Sequence, residues 1–435
     1  MQQNLDNMSI PACPLVYPLV LLGGGHSHAL LLTYWQKLNP SKRHNVRPLL
    51  VSDNTNSPYS GMLPGLLTEE YSFDDCHIDL VNLCNTSDCD FLQGSCINIQ
   101  KVDSNDYPTL YRLDLKLPQV DSHSNANNTD SVTSILCQRL SINIGSQPKV
   151  SQAVSTQNNP ALASSQWKVK PISQFYANWQ SLKSFLALQA RQTDDVSQTN
   201  AEKLNTVIQV VGAGAAGVEI ACAIKSSQPN CHVQLIARAN LPLPSFNQKT
   251  QQRCIQQLKK LGIEFVNNQI SHDNETLATD HTFTLWCTQS AAPLWLKNTA
   301  LVLSESGFIC VDQHLHSSLP GVFAAGDCAH FSPHPLPKAG VYAVRQAETL
   351  FENLLACLPL NKQTVNNTQV LNNNTCLTGH TPARLKPFKP QNHVLAIINM
   401  GNQFALAQKG RWSAQGFWPW LYKRKVDQSF MSKFK

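Results

Sequence analysis

The chain has 435 residues, 14% of them charged, and a net charge of +6. That length holds two or three domains with a sizeable core, and so mild a balance excludes the dense basic face of a nucleic-acid binder. No apolar run approaches the roughly 18 residues of a membrane-spanning helix.

Residues 1–13 form a polar tail with no Lys or Arg before Leu15. The apolar run Leu15–Leu22 stops at Gly23, so it reads as a strand rather than a signal peptide, and a cytoplasmic location follows. Gly23-Gly24-Gly25-His26-Ser27-His28 comes next, then the apolar run Ala29–Leu32. Gly23 and Gly25 match the first two glycines of a G-x-G-x-x-G phosphate finger, and His28 takes the third place. A side chain there should hold helix and strand slightly apart. A second strand, Arg47–Val51, ends beside Ser52 and Asp53, where an acidic residue would hold a ribose. Asp53 reads either as that ligand or as the start of the turn Asp53-Asn54-Thr55-Asn56.

Pro58-Tyr59-Ser60-Gly61-Met62-Leu63-Pro64-Gly65 is a short polar-aromatic loop, suited to lie along a flavin ring or simply to join two elements. Asp90–Leu117 suits a small β-meander. Gln119–Asn127, Gln147–Gln166 and Asn361–Thr381 are Ser-, Asn- or Gln-rich and read as surface insertions. Leu140–Ile144 reads as a strand, and Phe175–Ala190 as a helix leading into a second unit.

That unit, from about Thr206 to Thr288, carries the strongest signal in the chain. Val207–Val211 is a buried-strand run, Gly212, Gly214 and Gly217 complete a G-x-G-x-x-G, and Val218–Ile224 continues as a small-residue helix. Gly212 allows the tight turn and Gly214 the close approach of a pyrophosphate. Gly217 allows close packing of helix on strand, with the helix N-terminus facing the phosphates. Strand, turn and helix in that order make the motif specific. Its second strand, His232–Ile236, ends in Ala237-Arg238 with no acid, so Arg238 is either a partner for a 2′-phosphate or a solvated cation, and NADH and NADPH stay level. Two fingers in one chain point to two dinucleotides, a flavin and a nicotinamide.

Thr282–Trp286 reads as a further strand and Ser304–Val311 as a hairpin. Gly321–Ala325 is a buried strand ending in Gly326-Asp327, where a carboxylate can take a sugar or ribitol hydroxyl or cap a turn. Lys338–Leu355 is a helix whose N-terminal amides, near Gly340, can face an electron-rich flavin carbonyl. In the basic, aromatic tail, Phe417, Trp418, Trp420, Leu421, Phe430, Met431 and Phe434 recur at helical spacing among Lys and Arg. This reads as a membrane-surface helix or as a terminal helix docked on the body with its charges solvated. Arg424 and Asp427 interrupt the apolar stripe and favour the second. Fourteen cysteines include no C-x-x-C pair and no zinc spacing, so no metal site is expected, and the thiols read as free and mostly buried.

The segments Leu22–His28, Pro58–Gly65, Gly321–Cys328 and Pro337–Gln346 resemble a two-dinucleotide flavoprotein of the pyridine nucleotide-disulfide oxidoreductase superfamily. Within it they are most similar to the type II NADH dehydrogenase-like branch and to the FAD proteins often fused to selenide, water dikinase. The resemblance implies an α/β fold of two Rossmann-like, three-layer units and a small C-terminal α+β region. The FAD domain is split over 14–175 and 289–360 around an NAD(P) domain at 176–288, and the C-terminal region spans 361–435. It implies FAD on Gly23, Gly25 and Asp327, and NAD(P)H on Gly212, Gly214 and Gly217; His26, Asp53 and Gly340 stand beside them as candidates for FAD, and Arg238 for NAD(P)H. Glu219 matches the family's glutamate near the nicotinamide–flavin contact, and Gln346 matches one of a pair of glutamines near a quinone, whereas Val341 stands at the other. No dikinase domain follows Lys435, so a free-standing flavoprotein is expected, with that dikinase as a partner. Three functions follow. The first is an FAD enzyme that oxidises NAD(P)H and passes electrons to a second acceptor such as a quinone. The second is a selenium- or sulfur-compound oxidoreductase using Cys328. The third is a flavin-bearing binding subunit without turnover.

Overall fold

The computed structural model describes residues 15–43, 45–118, 131–149, 165–194, 206–267, 282–288, 290–358 and 385–435. The N-terminal tail and most of the three polar stretches lie outside them. The first unit is built on five parallel strands in the order Val322–Ala324, Leu140–Ile142, Val20–Leu22, Leu49–Ser52 and Asp90–Gln93. Strands Val20–Leu22 and Leu140–Ile142 are buried at every position because both faces are covered, with Ser141 the one polar residue in them. On one face lie helices His26–Gln36 and Gly340–Ala356, tied by Ser27 Oγ, which donates to the Ala343 carbonyl at 2.7 Å. A second sheet combines Val16–Tyr17 with the antiparallel strands Val132–Cys137, Tyr111–Lys116 and Ser95–Lys101. Its alternate residues Leu113, Leu115 and Ile99 join the same core.

The second unit repeats the plan with parallel strands Gln166–Lys168, Thr282–Trp286, Val207–Val211, His232–Ala237 and Ile263–Asn267. Helix Ala215–Ser227 follows its finger. Helix Gln248–Leu261 starts at an Asn247 cap, whose Oδ1 accepts the Thr250 N–H at 2.9 Å, and stops at left-handed Gly262. Strands Ala396–Asn399, Ala405–Lys409 and Trp412–Gly416 then form an antiparallel meander that feeds the C-terminal helix, Phe417–Met431.

The α/β fold class stands, and three local expectations are corrected. Asp90–Gln93 belongs to the parallel sheet rather than to the meander, because the short helix Leu80–Thr86 returns the chain beside Leu49–Ser52. Instead of a full hairpin at Ser304–Val311 there is one bridge between Leu303 and Ile309, and Ile309–Val311 pairs in parallel with Ala329–Phe331. Eleven described cysteines are free, but Cys357 is disulfide-bonded.

Candidate active site

The second finger has the backbone that its glycines imply. Gly212 sits at φ +111°, and a Cβ there would lie 2.5 Å from the Cys287 carbonyl oxygen. A Cβ on Gly217 would lie 1.7 Å from the Gly212 oxygen, so the helix can rest on the strand only without one. At Gly214 a Cβ would meet nothing within 4 Å. The protein does not need that glycine for its own packing, which fits a position kept clear for a pyrophosphate at the N-terminus of Ala215–Ser227. Arg238 is exposed just past the end of the neighbouring strand, His232–Ala237.

In the first finger, His28 solves the missing glycine. Its ring is fully buried, with Nδ1–H donating to the Gly23 carbonyl at 2.7 Å and Nε2 accepting from the Ser141 hydroxyl at 2.8 Å. The side chain therefore fastens helix to strand rather than holding them apart. Burial pulls its pKa down to about 4. Asn143 completes the finger: its Oδ1 accepts the Ser27 N–H at 3.2 Å and its Nδ2 donates to the Ala325 carbonyl at 2.7 Å. A Cβ on Gly25 would strike that Oδ1 at 2.1 Å. Asp53 is exposed, while Ser52 is buried beside the glycine turn.

Asp327 lies within reach of this finger. It pairs with Lys170 Nζ at 3.1 Å and accepts from Ser146 Oγ at 3.3 Å. Gln346 is buried, and its Oε1 accepts the Gly326 N–H at 2.7 Å, so it sets the Gly326-Asp327 turn. Gly340 opens its helix opposite the His26 ring, 3.7 Å from a Cβ placed there. Cys328 is fully buried against the Ile142 and Ala325 carbonyls, and burial pushes its thiol up to about 11. Such a thiol is a poor nucleophile at neutral pH.

A partly buried polar cluster joins both units to the C-terminal helix. Glu219, on the second-finger helix, accepts the Asn399 N–H through Oε1 at 2.8 Å. Lys423 donates to the Gly61 carbonyl at 2.7 Å and to Asp427 Oδ2 at 3.0 Å. The Tyr59 hydroxyl donates to Asp427 Oδ1 at 3.1 Å. The Tyr59 ring packs on Phe430 and His26, with centroids 4.7 and 5.3 Å away. Burial pushes Glu219 up to about 7 against the pull of Lys423. Asp427 is raised because burial outweighs its pairing. Burial pulls Lys423 down, but Glu219 and Asp427 together outweigh it and hold it above the ordinary value.

The helix is thus docked, but its charges are not all solvated: the side chains of Lys423 and Asp427 are 13% and 6% exposed. Sequence reasoning missed Asn143, Lys170, Lys423 and Asp427. The last two had a signal, an acid four residues after a base on an amphipathic helix. Asn143 and Lys170 had none, since their partners are far along the chain.

A family model for the pyridine nucleotide-disulphide oxidoreductases matches residues 19–347. The NADH dehydrogenase-like protein YutJ of Bacillus subtilis is 27% identical over 178 residues, covering 38% of this chain and 49% of that protein. The match therefore spans about half the length of this curated relative. The structure of NDH2 from Plasmodium falciparum in complex with NADH is similar, with a TM-score of 0.66 at 14% identity, over 96% of this chain and 97% of that one. Reduced CoADR-RHD of Bacillus anthracis gives a TM-score of 0.61 at 14% identity, over 90% of this chain and 61% of that one. Two glycine fingers on two parallel sheets, with the family match across both, make one conclusion: the chain belongs to the pyridine nucleotide-disulphide oxidoreductase family.

Proposed function

We propose that the protein oxidises NAD(P)H and passes the electrons through FAD to a small acceptor that takes up protons, a quinone being the chemistry that fits best. One observation carries this reading. Glu219 of the nicotinamide finger, Tyr59 of the flavin loop, and Lys423 and Asp427 of the C-terminal helix meet in one partly buried cluster around buried Asp427. A partly buried carboxyl on the nicotinamide-finger helix, with a cation near it, suits an acceptor that takes up a proton with its electrons.

The cofactor residues fit their tasks. Gly212, Gly214 and Gly217 would hold the NAD(P)H pyrophosphate and Arg238 its ribose end. Gly23, Gly25 and the first helix N-terminus would hold the FAD pyrophosphate, Asp327 the ribitol and Gly340 the ring. FAD, once bound, supplies the hydride and electron chemistry. The chain's own residues orient the rings, keep water out with Phe430 and Trp420, and present Glu219 as a proton donor. Phe417, Trp418, Leu421, Tyr422 and Val426 are exposed on the outer face of the same helix, beside Arg424 and Lys425. This face supports delivery of an apolar acceptor from a membrane surface. Among the described residues no helix is long and apolar enough to cross a membrane.

The test is steady-state loss of NAD(P)H with a soluble quinone, then with ferricyanide. Turnover with the quinone that falls at least tenfold in Glu219→Gln, while ferricyanide is spared that loss, supports the reading. Equal rates in the variant and the wild type with the quinone would overturn it.

A further inference from the structure

The cluster around buried Asp427 holds one cation and two carboxyl groups, and the geometry decides which carboxyl owns the cation. Lys423 lies on the same helix as Asp427, four residues before it, and its ammonium is 3.0 Å from Oδ2. Asp427 is fixed from a second side by the Tyr59 hydroxyl, and Lys423 from a second side by the Gly61 carbonyl. Glu219 has no such claim on the ammonium. Its Oε1 takes the Asn399 N–H, and it feels Lys423 only through space. With one positive charge satisfied by Asp427, the cluster is neutral when Glu219 carries a proton. In a site largely screened from solvent, neutrality is favoured.

We propose that Asp427 is a positioning residue: with Tyr59 it holds the Lys423 ammonium away from Glu219, so that Glu219 keeps a proton for the acceptor. This rests on the function proposed above. The step balances as NAD(P)H + acceptor + H⁺ giving NAD(P)⁺ + the two-hydrogen-reduced acceptor. Two electrons and one hydrogen come from the nicotinamide. The second hydrogen comes from breaking the Glu219 carboxyl O–H as the new bond to the acceptor forms. The Glu219 carboxylate then recovers a proton from solvent. The titratable groups that face Glu219 are Lys423 and Asp427 from the C-terminal helix, Tyr59 from the flavin loop and Cys222 from its own helix.

The competition for one cation gives the two obvious variants opposite signs. In Asp427→Asn the freed ammonium turns to Glu219 and favours its charged form. In Lys423→Met the cation is gone and the remaining carboxylate disfavours that form. The experiment is a pH titration of the Glu219 carboxyl band by infrared difference spectroscopy on the flavin-loaded protein, with Glu219→Gln identifying the band. Beside it, the rate of reoxidation of the reduced protein by a soluble quinone is followed across the same pH range.

In the wild type both should fall as pH rises through about 7. The midpoint should move down by about one pH unit or more in Asp427→Asn and up by a similar amount in Lys423→Met. Tyr59→Phe, which leaves the ion pair in place, should move it down by less. Shifts of the same sign in the two charge variants, or no shift in either, would overturn the proposal, because mere loosening of the helix has no reason to change sign. The infrared midpoint needs no turnover. If NAD(P)H failed to reduce the flavin, the proposed function would fail separately, while the midpoints would still decide the role of Asp427.

Discussion

His28 offers a quantitative test of how the first finger is held. The perturbation is acid. In the folded finger both ring nitrogens are engaged, Nδ1–H with the Gly23 carbonyl and Nε2 with the Ser141 hydroxyl, so a second proton has nowhere to go. The folded pKa is about 4, against an ordinary 6.5. Above pH 6.5 the neutral ring binds no extra proton in either state, and the contribution is fully present. As pH falls from 6.5 towards about 4 the unfolded chain takes up a proton that the finger refuses, and the contribution is lost. At about 1.4 kcal/mol per pH unit, the loss comes to about 3 kcal/mol. A chain of several units need not unfold in one step, so a local measurement is the right one. We expect amide hydrogen exchange across Leu19–Leu32 to be much slower in the wild type than in His28→Ala at neutral pH. That protection gap should shrink roughly a hundredfold by about pH 4. A gap that stays constant with pH would refute the buried neutral histidine.

Three further outcomes are expected. Gly214→Glu places a carboxylate in the space that no protein atom occupies, so it should abolish flavin reduction by NAD(P)H yet leave bound FAD and thermal stability nearly unchanged, as read by the visible spectrum and melting. Asn143→Ala strips partners from the Ser27 N–H and the Ala325 carbonyl at about 1–3 kcal/mol each, and should weaken FAD retention at least tenfold in a dialysis assay. Cys328, buried with its thiol at about 11, should resist alkylation in the native protein at neutral pH; rapid labelling there would reopen the chalcogen reading.

Much of the fold was legible because its signals are local. Gly212 and Gly217 obey steric rules within one strand–turn–helix, and Val207–Val211 reads as buried because a parallel strand is covered on both faces. The place of Asp327, after a buried strand, was legible because one residue carries that signal. The site was opaque where the meaning lies in a partner far away. Asn143 caps a helix more than a hundred residues upstream. Asp427 looked like a break in an apolar stripe and is instead the anchor of Lys423 and Tyr59. Likewise His28 looked like a defect in a finger, since the sequence could not say that Ser141 would stand opposite its ring. Gln346, matched by resemblance to an acceptor-side glutamine, is committed to the Gly326 N–H.

The central claim is that the second finger delivers hydride to a flavin held by the first. The most direct measurement is anaerobic mixing of the purified, flavin-loaded protein with NADH and, separately, with NADPH, following the visible flavin band. The account predicts rapid bleaching by at least one of them, and a preference for NADPH that Arg238→Ala removes would assign the ribose site. Persistent colour with both, while the flavin stays bound, would contradict the account and leave a flavin-bearing binding subunit in its place.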